Sequence, residues 1–203
     1  MGQRVNIILA VENKENKKKV YVYHDQWGIG RKSLLNLISI HHAFYNKAYE
    51  KSITETANLD PSRSGVHLEY EFNYDKNNKQ DENDEVKYKF DDFLIPDKAG
   101  DFIDEYCDNN NGAMVVYIKE SESTESWEPD VDFKCGFLLG HEDEYKEYDG
   151  KEYNAENAHL GKAFHKYLSL EEWCKLSINS SYADKDFKNI VKSYMQYFDI
   201  KEF

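Results

Sequence analysis

A chain of 203 residues with 40% hydrophobic, 15% aromatic and 32% charged side chains is too apolar for disorder and too polar for a membrane protein. It is long enough for one well-cored domain over residues 1–203, and three prolines with ten glycines exclude fibrous and low-complexity classes. The net charge of −13 is uneven: residues 1–80 carry +3, residues 81–150 carry −16 (6 basic against 22 acidic), and residues 151–203 balance. Such an acidic middle repels nucleic acid and anionic membranes, so neither is an expected partner.

The chain opens as a β-hairpin. Val5, Ile7, Leu9 and Val11 alternate with Asn6, Ile8 and Ala10 in a strand buried on both sides, and Val20-Tyr21-Val22-Tyr23 returns after the polar turn 13–18. This seven-residue apolar run is too short for a membrane span, and no secretory leader is expected. After the loop 26–30, Ser33 is placed to cap a helix through Leu34, Leu37, Ile38, His41, Tyr45 and Ala48, to about Lys51.

Val66, Leu68, Tyr70, Phe72 and Tyr74 alternate strictly with polar residues, the pattern of a half-buried strand. Its expected antiparallel partner is Val86-Lys87-Tyr88-Lys89-Phe90, with Glu69 and Glu71 facing Lys87 and Lys89. Pro96-Asp97 starts a helix with Phe102, Ile103 and Tyr106 on one face, expected to stop at Asn109-Asn110-Asn111-Gly112. Ala113–Lys119 reads as a buried strand, Ser121–Pro129 as an acidic loop, and Phe133, Cys135, Phe137 and Leu139 as a further strand. Asp149-Gly150 signals a tight hairpin. Ser169-Leu170-Glu171-Glu172 is a capping box, and Asp184 caps a last helix striped by Phe187, Ile190, Val191, Tyr194 and Phe198. The fold class is α+β: a mainly antiparallel sheet from several hairpins, with about four helices packed on it.

Four features carry possible chemistry. Gly28, Gly30, Arg31, Lys32 and Ser33 join a strand to a helix start, whose unpaired N–H groups attract anions, and hairpin pairing brings Arg4 near. A phosphate or nucleotide ligand would suit this loop, yet neither a Walker A spacing nor GxGxxG is present, and a plain turn is the competing reading. The histidines (His41-His42, His141, His159, His165) show no ligand spacing, so no metal and no cofactor are expected. Cys135 with His24 or His141 would make a thiol–imidazole pair, but Cys135 shares its face with Phe133 and Phe137 and reads as a small core residue. Three widely spaced cysteines read as reduced thiols of a cytoplasmic protein.

The fourth feature is the acidic surface. Asp81, Glu82, Asp84, Glu85, Asp91, Asp92, Glu142, Asp143 and Glu144 fall in loops and hairpin ends. Gathered on one side they would imitate nucleic-acid phosphates and capture a basic protein; scattered, they merely solubilise.

Met1-Gly2-Gln3-Arg4, the strand Tyr21–Tyr23 and the turn His24-Asp25-Gln26-Trp27-Gly28 resemble the opening of small phage- and prophage-associated proteins. The resemblance covers about the first forty residues, with Gln26 and Trp27 standing where Asp-Gly-Tyr is usual. It implies a phage or mobile-element source and carries over no site residue. The expected function is a non-enzymatic acidic interaction protein that inhibits a basic host protein, such as a nuclease or defence factor. The alternatives are a phosphate or nucleotide binder at Gly28–Ser33 and, third, a hydrolase without a recognisable motif.

Overall fold

The structure, a computed structural model of the chain, describes residues 4–26, 28, 33–45, 66–74, 87–109, 111–120, 131–139, 167–179, 183–197 and 201–203. Strands β1 (Val5–Glu12) and β2 (Lys18–Asp25) form the expected hairpin, with Val5 opposite Asp25 and Glu12 opposite Lys18. Asn13 closes the turn, its Oδ1 accepting the N–H groups of Glu15 and Lys17 at 3.0 and 2.9 Å. Every residue of β1 is buried. That burial on both faces explains its near-continuous apolar run.

Among the described residues, seven strands make one sheet. β3 (Val66–Asn73) lies beyond β2, while β4 (Ala113–Glu120) pairs with β1, β5 (Val131–Leu138) pairs with β4, and β6 (Tyr167–Leu168) and β7 (Lys201–Glu202) both lie against β5. Ladders β1–β2, β2–β3, β4–β5 and β5–β6 are antiparallel; β1–β4 and β5–β7 are parallel. The α+β, mainly antiparallel class holds, with a parallel pair at its centre.

Helices cover both faces. α1 (Leu34–Tyr45), α3 (Leu170–Ile178) and α4 (Lys185–Tyr197) pack on Leu9, Met114, Val116 and Phe137. A 3-10 segment (Phe90–Leu94) and α2 (Pro96–Tyr106) pack on Ile8, Val22, Val115 and Tyr117. The capping signals are realised: Glu172 N–H donates to Ser169 Oγ at 3.1 Å, Ser169 N–H to Glu172 Oε2 at 2.8 Å, and Phe187 N–H to Asp184 Oδ1 at 2.8 Å. Together these satisfy orphan donors of the first turns.

Three expectations need correction. β3 pairs with β2 and not with residues 87–90 (Val86 lies outside the described residues), so Glu71 meets Lys19 at 3.3 Å while Lys87 reaches Glu105 instead. The reason is aromatic burial: Tyr88 and Phe90 sink beneath the sheet, and Tyr88 offers its carbonyl to the Tyr74 hydroxyl at 3.0 Å. Helix α2 stops at Tyr106, where Cys107 is extended (φ −112°, ψ 139°), ahead of the Asn-rich run. Asn109 of that run braces the start of β4 through Gly112. Ile190 is 47% exposed and lies off the buried stripe of α4 formed by Phe187, Val191 and Tyr194. The expected continuation of α1 to Lys51 and the hairpin at Asp149-Gly150 lie outside the described residues.

Candidate functional site

Buried polar side chains collect where β1 and β4 begin and β2 ends. Asn6, His24, Asp25 and Asn111 are all buried there, and Ser33 is buried just ahead of α1. Asn109 is the brace. Its Nδ2 donates to Asn6 Oδ1 at 2.5 Å and to the Gly112 carbonyl at 2.7 Å, and its Oδ1 accepts from Gly112 N–H at 2.9 Å. Gly112 has φ 96°, a left-handed backbone that favours glycine. The Asn6 amide also donates to Glu69 Oε2 at 3.4 Å.

Of the expected anion loop, Arg4 and Gly28 lie at this end, Ser33 is buried just ahead of α1, and Gly30, Arg31 and Lys32 lie outside the described residues. Arg4 holds Asp108 at 2.5 Å. Gly28 N–H donates to the Asp25 carbonyl at 3.1 Å, and a Cβ added at Gly28 would stand 2.8 Å from the Asp25 carboxyl carbon. The glycine therefore permits close approach to a buried acid, a poor neighbour for a phosphate.

The nucleophile candidates fit the fold as core. Cys135 is fully buried among the apolar side chains under α3 and α4. Cys107 is half-buried, and burial followed by the Glu69 charge pushes its thiol up, away from the reactive thiolate. His41 sits edge-on to Phe133 and Tyr194, with ring centroids 4.8 and 5.7 Å away. Burial, then the His42 charge, lowers its pKa from 6.5 to about 4, which marks a neutral core ring. No group of three or more His, Cys, Asp or Glu among the described residues is placed to hold a metal ion.

At the opposite end of β1 the charges are neutralised locally. Burial pushes the Glu12 carboxyl up, but the hydrogen bond from Lys119 and the Lys18 charge outweigh it and hold the pKa below 4.5. Lys119 and Lys18 stand 3.1 and 3.7 Å from it. Asp91 lies 3.5 Å from the same Lys18, and Asp92 Oδ2 accepts the Lys89 N–H at 2.8 Å, closing the first turn of the 3-10 segment. Asp81, Glu82, Asp84, Glu85, Glu142, Asp143 and Glu144 lie outside the described residues.

A second acidic set was not singled out from sequence. Asp97, Asp101 and Asp104 are exposed on α2, with exposed Asp108 just beyond its end, while Ala99, Phe102 and Ile103 are buried. The signal was available: acids at intervals of four, three and four residues, opposite an apolar face. Lys98 is 4.0 Å from Asp101, and Lys87 is 2.9 Å from Glu105. Between them lies a surface depression of about 380 Å³ floored by Tyr88.

Comparisons with family models, with curated proteins and with solved structures find no match for this chain. Among the described residues, no helix is long and apolar enough to cross a membrane.

Proposed function

We propose that this chain is a non-enzymatic interaction protein that presents carboxylates to a basic protein surface. The carrying observation is the exposed row Asp97, Asp101 and Asp104 on α2, whose buried side is wedged into an aromatic core by Phe102 and Tyr106. A rigid helix holds charges at fixed spacing, so less side-chain and backbone freedom is lost on docking. The sequence adds further acids, Asp81 to Glu85 and Glu142 to Glu144, to the same −16 segment, which would strengthen the negative field. The phage-like opening directs the proposal to a host partner, such as a nuclease or another basic factor that meets nucleic acid.

The phosphate or nucleotide reading has less support, because Arg4 is engaged by Asp108 and Gly28 sits on the Asp25 carboxyl.

The test is capture of a basic partner by wild-type protein and by the triple variant Asp97→Asn, Asp101→Asn, Asp104→Asn. The expected outcome is binding that weakens at least tenfold in the variant at about 50 mM salt and falls steeply with added salt in the wild type. Binding that ignores both changes would overturn the proposal.

A further inference from the structure

We propose that His24 and His67 form a two-imidazole site for a divalent transition-metal ion. The two residues are 43 apart in sequence. Register alone brings them together: they are direct cross-strand partners in the β2–β3 ladder, with ring centroids 5.2 Å apart and planes at 47°. Two rings that each reach a single tetrahedral ion through a nitrogen at ~2.0–2.1 Å hold their centroids about 5 Å apart.

The inner ring is already set for ligation. His24 is 4% exposed, and its Nε2 lies 3.2 Å from Gln26 Oε1. An amide oxygen only accepts, so Nε2 carries the proton and Nδ1 carries the lone pair. That Nδ1 is buried and has no hydrogen-bond partner among the described residues. A lone pair withheld from water without a donor is disfavoured, and a ligated cation would relieve it. Metal-bound histidines characteristically donate their other N–H to a carbonyl or carboxylate oxygen, the role Gln26 fills here.

The surroundings favour a cation. The ladder shifts register between Val22 and Tyr23, which leaves Glu69 without a strand partner, and its carboxylate reaches Asn6, the other cross-strand neighbour of His24. His67 is exposed and gives an ion its way in, with water completing the coordination. Imidazole nitrogens select borderline ions, so Cu2+ binds more tightly than Ni2+ or Zn2+.

The test titrates the full chain with Zn2+, Ni2+ and Cu2+ separately, reading calorimetric stoichiometry and the shift in melting temperature. His67→Ala changes an exposed residue and is expected to lose one ion per chain or weaken that site at least tenfold. Gln26→Ala leaves both ligands but frees the inner ring, and is expected to weaken binding about tenfold. The Cu2+ spin-resonance spectrum of the wild type should show two coupled imidazole nitrogens, falling to one in His67→Ala. No binding by the wild type, or an unchanged titration in His67→Ala, overturns the site; unchanged affinity in Gln26→Ala overturns Nδ1 as the ligand.

Discussion

The two faces of the sheet are built from different chemistry. Under α2 and the 3-10 segment the core is aromatic, and its phenols are tied down: Tyr70 OH donates to the Tyr106 carbonyl at 3.0 Å, and Tyr167 OH to the Phe93 carbonyl at 2.8 Å. Under α1, α3 and α4 the core is mainly aliphatic, with Trp173 stacked on Phe137 at 5.0 Å and His41 held neutral. The difference teaches how irregular backbone is kept in place. Short segments such as Phe90–Leu94 have few backbone bonds of their own, so large rings with hydroxyl tips anchor them. Regular helices need only an apolar stripe and a cap.

The largest expected effect breaks the aromatic face. Phe102 is fully buried and meets Phe93 at 5.0 Å and Tyr88 at 5.4 Å. Phe102→Ala should cost about 3–5 kcal/mol in urea unfolding and loosen α2, the carrier of the acidic row. The second acts on the other face through pH. The neutral His41 ring contributes stability fully above about 6.5, and this is lost as pH falls towards 4, where the folded ring protonates. Over that window acid should remove about 3 kcal/mol, and His41→Phe should flatten the loss.

A smaller effect sharpens the contrast at one hydrogen bond. Tyr167→Phe leaves the buried Phe93 carbonyl without the donor that reaches it at 2.8 Å, and should cost about 1–3 kcal/mol. The aromatic face should also answer to base. Burial pushes the phenols of Tyr74, Tyr88 and Tyr167 up, so they stay neutral in the fold while the unfolded chain ionises near pH ~10. Stability should be intact below that pH and fall above it, in alkaline melts that His41→Phe leaves unchanged. Smallest is the cap of α3: Ser169→Ala should cost about 1 kcal/mol.

Much of the architecture was legible in residue order. The first hairpin, the half-buried β3, the caps at Ser169 and Asp184, and the core position of Cys135 all rest on neighbours within a few residues. The partner of β3 was not legible, because its Glu/Lys complementarity is met equally well by Lys19 on β2, and aromatic burial of Tyr88 and Phe90 decided between them. The candidate sites divided in the same way. The acids of α2 follow a readable helical spacing, whereas the histidine pair and the Asn6–Asn109 contact join positions 43 and 103 residues apart.

Residue order alone determined the charge imbalance, the longer strands and helices and the chemistry available at each position, because periodicity and capping act over one or two turns of chain. Tertiary structure decided which strands became neighbours, which acids were neutralised by lysines from distant segments, and that two remote imidazoles share one ladder rung. Those outcomes turn on the burial of whole faces, a quantity that no local pattern contains.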